Sequence, residues 1–253
     1  MFESQVASIL AENERRRREI PADFYSAVHP HNLFMASQRR RSLLRLLRRE
    51  GITSFAGRRI LEVGCGAGGW LLDFVFWGAM PELLCGIDID KDRLAEAARN
   101  LPAADLRLGN ASELPWPDAF FDVVLQATVF TSILDSDFKR AVAAEMIRVV
   151  KPDGLILWYD FRFDNPWNPH VRGIGAGEMK RLFPGCSFRL KRVTLLPPLA
   201  RRIVPVSWIA ALILEKIPLL RTHILACIRP PRAAGARASS EMSSIHVSSR
   251  GAE

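Results

Sequence analysis

Cysteine is scarce in this chain and scattered. Cys65, Cys85, Cys186 and Cys227 form no CxxC pair and stand at no short spacing from a histidine. That excludes a cysteine-framed zinc site and a disulfide framework, and it favours a reducing compartment. Long apolar runs are missing too. The longest, Val206–Leu214, reaches roughly 14 Å as a helix against a hydrocarbon core of about 30 Å, too short to span a bilayer. The N-terminal segment MFESQVASILAENERRRREI has no apolar stretch leading to a cleavage site, so no signal peptide is expected. No internal repeat is visible. With 49% apolar and 25% charged residues over 253 positions, the composition is that of one globular domain with additions.

Arginine, by contrast, is abundant. The net charge is +8, and arginines cluster at 15–18, 39–41, 48–49 and 201–202. Such clusters suit nucleic acid, anionic lipid or an acidic substrate, or only a solvated surface. The arginines are not interleaved with aromatics and no Asn-Pro-Pro-Tyr-like base-handling motif is present. No nucleic-acid partner is therefore expected.

Strand and helix patterns alternate from Arg58 onward. Residues 60–63, 83–87, 106–108, 121–126 and 155–161 read as strands. Helices fall at 68–77, at 91–100 behind an Asp90 N-cap, and along the Phe138–Val149 stripe, which Pro152-Asp153-Gly154 is expected to end. Upstream, 38–50 is a one-sided helix stopped by Gly51. Downstream come a helix at 178–183, a strand at 188–196, a basic-flanked apolar helix within 198–218, and a last strand at 223–228 that suits an antiparallel edge hairpin. The expected fold is α/β: a Rossmann-like, seven-stranded, mainly parallel sheet with that C-terminal hairpin and helices on both faces. Residues 230–253, rich in Pro, Ala, Gly, Arg and Ser, read as a disordered tail.

The most informative stretch is RRILEVGCGAGGW, residues 58–70. Its glycines satisfy G-x-G-x-x-G between a strand and a helix, where they permit a tight turn and close approach of a ligand. Asp88 ends the next strand, placed to bond ribose hydroxyls, so the ligand should contain a nucleoside. A dinucleotide would set its pyrophosphate on the helix start, where Glu62 would repel it. A ligand with an ammonium and a sulfonium instead, S-adenosylmethionine, would be attracted. A Glu62 turned away from the ligand leaves both readings open.

Four segments in order resemble class I S-adenosylmethionine-dependent methyltransferases over roughly residues 58–160. GluValGlyCysGlyAlaGly resembles the first motif, GlyIleAspIle the second, residues 109–124 the GDAxxLPFxDxxFDxV stretch, and 146–154 the approach to the fifth strand. The resemblance is to bacterial members, loosely to those of glycan biosynthesis. It implies S-adenosyl-L-methionine as cofactor, held by Glu62, Gly64, Cys65, Gly66, Gly68, Asp88, Ile89, Asn110, Ala111 and Gln126, with Cys65 also a packing filler. Asn110 stands where aspartate is usual, and Asp153 replaces a turn glycine. The implied divisions are an N-terminal helical arm and lid (1–57), the methyltransferase domain (58–229) and the tail. Residues 25–32 lie where relatives carry a lid, or are a surface turn.

For the acceptor, the loop 159–173 after the fifth strand offers hydrogen-bonding groups: Arg162, Asn165, Asn168 and Arg172, joined by Thr131 after the fourth strand. His170 and Asp160 are the candidate bases, and no metal is expected. The acceptor is expected to be a small-molecule, glycan or lipid-linked oxygen or nitrogen. Two other functions compete: an NAD-dependent oxidoreductase on the same glycines, and a non-catalytic membrane-surface or partner-binding module. The apolar 198–218 segment suits either an interfacial helix or a helix packed on the sheet. The expected location is the cytoplasm, with the inner membrane face as a candidate contact.

Overall fold

The computed structural model describes residues 2–165 and 168–231. Seven strands build one sheet: β1 (Ile60–Val63), β2 (Leu84–Asp88), β3 (Asp105–Leu108), β4 (Phe121–Ala127), β5 (Val150–Phe161), β6 (Ser187–Leu195) and β7 (Arg221–Arg229). Their order is β3-β2-β1-β4-β5-β7-β6. The first five strands run parallel, and β7 is antiparallel to both β5 and β6. The C-terminal hairpin thus forms as expected, with β6 on the edge and β7 inside it.

Eight α-helices surround the sheet: α1 (Glu3–Glu19), α2 (Pro30–Arg49), α3 (Gly69–Phe76), α4 (Lys91–Asn100), α5 (Ser136–Val149), α6 (Ala176–Leu182), α7 (Pro197–Ile203) and α8 (Trp208–Leu214), counted among the described residues. Side chains alternate along a strand, so the sheet feeds two cores. Ile60, Leu125, Leu157 and Leu225 join Leu43 and Leu47 of α2 and Leu71 and Phe74 of α3 on one face. Leu61, Val63, Val124 and Ile156 join Phe138, Val142 and Met146 of α5 and Met179 of α6 on the other. Asp90 caps α4 as its sequence position suggests, accepting from the N–H groups of Asp92 and Arg93 at 3.2 and 3.3 Å.

Three local expectations are corrected. First, α2 begins at Pro30 rather than Gln38, because proline is preorganised for a helix's first turn and Phe34 is anchored in a third apolar cluster with Leu195 and Ala211. Second, α5 stops before Pro152-Asp153-Gly154, and those residues lie inside β5. Val150 already pairs with Phe121, and the register shifts before Val123 pairs with Leu155. Gly154 permits this path, since a Cβ there would sit 2.9 Å from the Asp122 carbonyl oxygen. Third, 198–218 is two seven-residue helices, not one. Pro205 lacks the N–H a continuous helix needs, and Ser207 caps α8 by accepting from Ala210 N–H at 3.1 Å. The expected disordered tail falls outside the described residues from 232 onward.

Candidate active site

Past β1 the chain turns through Gly64, Gly66 and Gly68 at φ +68°, +51° and +79°, values that side-chain-bearing residues seldom adopt. Gly64 also needs the space, because a Cβ there would stand 2.4 Å from Cγ2 of Val129. The Gly64 and Cys65 N–H groups both donate to the Ile87 carbonyl, at 2.8 and 3.0 Å. Asp88 closes the loop: Oδ2 accepts from Gly66 N–H at 2.7 Å and Oδ1 from Asp90 N–H at 2.8 Å. One buried carboxylate therefore fixes both the glycine loop and the start of α4.

Beyond these strand ends lies a cavity of about 130 Å³. Of the residues expected to meet the cofactor, Gly64, Asp88, Ile89, Asn110 and Ala111 line it; Glu62, Cys65, Gly66, Gly68 and Gln126 do not. Asn110 is held by its own turn, its Oδ1 accepting from Ser112 N–H at 3.0 Å. Thr128 and Val129 form the wall after β4. Thr128 sits at φ +60°, a strained setting for a β-branched residue that costs about 1–3 kcal/mol, and its N–H donates to the Tyr159 carbonyl at 2.8 Å.

The cavity is roofed by Ile9 and Asn13 of α1. That helix is strapped at both ends. Phe2 stacks on Phe138 at 4.7 Å, Gln5 Oε1 accepts from Leu134 and Asp135 N–H at 3.2 and 3.0 Å, and Arg17 pairs with Asp90 at 2.6 Å. Of residues 25–32, the first five form a turn and Pro30 begins α2. Among the described residues no cluster of side chains could hold a metal ion.

Sequence and structure comparisons agree with this geometry. The family profile described as "Methyltransferase domain" matches residues 60–154. A probable S-adenosylmethionine-dependent methyltransferase of Mycolicibacterium smegmatis is 32% identical over 144 residues, 54% of this chain and 54% of that protein. A fatty-acid O-methyltransferase of the same organism is 35% identical over 108 residues, 42% of this chain and 38% of that protein. Both matches span less than two thirds of the relatives' own lengths. The crystal structure of the [4+2]-cyclase SpnF superposes with a TM-score of 0.57 at 20% identity, covering 77% of this chain and 82% of that one, and supports the fold alone. Residues 60–154 are thus similar to a methyltransferase domain, and to part of a relative described as S-adenosylmethionine-dependent.

The cofactor of such a domain carries an ammonium and a carboxylate at its methionine end, and two orphaned buried atoms match that pair. Oε2 of Glu62 and Nε of Arg39 are buried without a hydrogen-bond partner. They share the α2–α3 face of the sheet, where the Arg39 guanidinium lies over Trp70 at 4.3 Å from its ring centre. Burial, reinforced by the nearby Asp88 charge, holds the Glu62 carboxyl well above the usual carboxylate range. An arriving cation would relieve that cost. The residues present thus fit S-adenosylmethionine: Asp88 and Asn110 line the cavity and could meet hydroxyls and the base, while Glu62 and Arg39, off its lining, carry charges opposite to those of the methionine end.

Cys65 is the packing filler anticipated. Its sulfur would meet a Cβ on Gly86 at 2.8 Å, and burial raises its thiol far out of the reactive range. Gln126 is fully buried under the wall, its Oε1 accepting from Val129 N–H at 3.2 Å. It shapes the wall and does not face the cavity.

The structure does not bring the two candidate bases to the cavity. Burial pushes the Asp160 carboxyl up to about 7, a value suited to proton transfer. Yet the side chain is fully buried, and its oxygens accept from Thr131 N–H at 3.3 Å and Phe161 N–H at 3.0 Å. It clamps the turn after β4 to β5. His170 is exposed in a separate shallow cleft with Glu12 and Arg16 and does not line the cavity. That cleft shares Ile9, Asn13 and Ser132 with the cavity, so the two adjoin along α1.

The expected acceptor residues stitch the 159–173 loop in place. Asn168 Nδ2 donates to Glu12 of α1 at 3.0 Å, Arg172 N–H donates to the carbonyl of buried Thr131 at 2.9 Å, and the Asn165 carbonyl accepts from Asn168 N–H at 3.0 Å. Arg162 lies elsewhere, over Phe163 at 4.0 Å and near β7. Pro166 and Trp167 of this loop lie outside the described residues.

Sequence reasoning missed Arg39, Asn13 and Ile9. Arg39 had a signal. It stands four residues before Leu43 and seven before Leu46, on the stripe α2 buries, where a charge needs a reason. α1 had none, since its polar sequence predicts no partner.

Proposed function

We propose that this chain transfers a methyl group from S-adenosylmethionine to an oxygen or nitrogen of a small-molecule or lipid-linked acceptor. The observation that carries it is the convergence of the glycine loop, Asp88 and Asn110 on one cavity, with one oxygen of buried Glu62 and Nε of Arg39 left without hydrogen-bond partners on the glycine-loop side of the sheet. When bound, the cofactor supplies an electrophilic methyl on a sulfonium. The chain's own residues do the rest. Asp88, already held rigid by Gly66 and Asp90, keeps lone pairs for ribose hydroxyls. Glu62 and Arg39 fix the methionine charges and so the sulfonium's orientation. Ile9 and Asn13 of α1 exclude water, and such positioning supplies much of the rate in a displacement of this kind. The fatty-acid O-methyltransferase among the relatives supports a lipid acceptor, and an acidic acceptor needs no base because it is already ionised at neutral pH.

The NAD-dependent alternative is disfavoured by Glu62, which lies inside the fold on the glycine side, where a pyrophosphate gains nothing from it. A non-catalytic module of the same fold is the second reading, since a [4+2]-cyclase shares this fold and the fold by itself therefore does not specify methyl transfer. Labelled S-adenosylmethionine incubated with fatty acids, membrane extract and soluble extract tests the proposal. Label moving into a lipid or small-molecule fraction supports it. Binding of the cofactor product with no transfer to any fraction favours the non-catalytic module.

A further inference from the structure

The segment between β6 and β7 stands at the same end of the sheet as the cavity. β7 is antiparallel to β5 and β6 is antiparallel to β7, so Leu195 and Arg221 both lie at the carboxyl-end rim. From that rim α7 and α8 project. Their inner residues, Ala200, Val204 and Ala211, pack on Phe34 and Leu195. Their outer residues are apolar and uncovered: Val206 is 85% exposed, Leu219 81%, Ile209 71% and Ile213 60%. The 20–29 turn extends the surface, with Val28 at 85% and with Phe24 under the Arg201 guanidinium at 4.6 Å.

A run this apolar on the outside of a globular domain marks a contact surface. Its charges choose the partner. Arg201, Arg202, Lys216 and Arg221 ring the segment, and its single acid, Glu215, is paired with Arg41 at 3.4 Å. Apolar residues surrounded by cations suit a surface that is apolar inside and anionic outside. A protein partner would ask for a shaped recess, whereas these residues stand on two short helices parted at Pro205. No helix among the described residues is long and apolar enough to cross a membrane, so insertion stops at the interface.

We infer that α7, α8 and the turn before α2 dock the protein on an anionic lipid bilayer, with the cavity rim facing the membrane. This rests on the methyltransferase reading only for its purpose, which is to present a lipid-held acceptor to the cavity. Docking itself is independent of catalysis.

The test is co-sedimentation of the full-length protein with phosphatidylcholine vesicles and with phosphatidylcholine–phosphatidylglycerol vesicles. The wild type should bind the anionic vesicles and largely ignore the neutral ones, with binding weakened by salt. Ile209→Asp with Leu219→Asp should lower partition about tenfold or more, and Lys216→Glu with Arg202→Glu should lower it at low salt only. S-adenosylhomocysteine titration of each variant should match the wild type, showing that the fold and cavity are intact. The inference is overturned if the wild type binds neither vesicle, or if the double-Asp variant binds as well as the wild type. It is overturned equally if light scattering shows a dimer that the double-Asp variant dissociates, because a second copy then covers the surface. In each case unchanged S-adenosylhomocysteine binding leaves the methyltransferase reading standing.

Discussion

Glu62 and Gly64 carry the sharpest consequences for single side chains. A carboxyl whose folded value is raised stabilises the fold fully below its unfolded value, near 4.5, and that contribution is lost as pH rises through the raised one. Glu62→Gln should therefore raise the melting temperature of the ligand-free protein at neutral pH, measured calorimetrically, while weakening S-adenosylhomocysteine binding by about 1–3 kcal/mol. A variant that melts unchanged and binds normally would mean Glu62 is solvated and remote from the ligand. Gly64→Ala meets both an unfavourable φ of +68° and a contact at 2.4 Å with Val129. It should cost about 1–3 kcal/mol of stability by chemical denaturation. Adding Val129→Ala should return part of that loss, and no return at all would place the whole cost in the backbone.

At the level of elements, the clamp between β5 and the turn after β4 makes a pH-dependent contribution. Asp160 rises from 3.8 to about 7 on folding, so its favourable contribution is present below about pH 4 and is lost as pH rises through about 7. Asp160→Asn should flatten the fall in stability over that window while lowering stability at its acid end, where one N–H loses its acceptor. A stability–pH curve identical to wild type would contradict the burial seen here. The roof has a kinetic signature. Breaking its straps with Gln5→Ala and Arg17→Ala should speed S-adenosylhomocysteine dissociation in stopped-flow fluorescence, and an unchanged off-rate would mean α1 is no cover. These elements also show what the sequence could and could not tell. β1 was readable to the residue because Ile60–Val63 is an apolar run closed by glycines, and α4 because Asp90 is a strong cap. The break between α7 and α8 was signalled by Pro205. The place of α1 was not, because its hold depends on Gln5, Asn13 and Arg17 meeting residues 73 to 130 positions away.

For the whole molecule, the alternation of strands and helices implied the parallel sheet, and the paired apolar runs at its end implied the hairpin. The cofactor motifs were legible because backbone turns need glycine and hydroxyls need a carboxylate, whatever the surrounding chain. The acceptor side was not, because polar residues such as Asn168 and Arg172 serve a loop's own stitching as readily as a ligand. Together the sheet, the roof and the glycine loop with Asp88 and Asn110 define one claim: the cavity binds S-adenosylmethionine. Calorimetric titration of the purified protein with S-adenosylhomocysteine, and with NAD in parallel, tests it most directly. The account predicts saturable one-to-one binding of S-adenosylhomocysteine, none of NAD, and affinity lowered about tenfold or more by Asp88→Asn. Binding of NAD alone, or of neither, would contradict it.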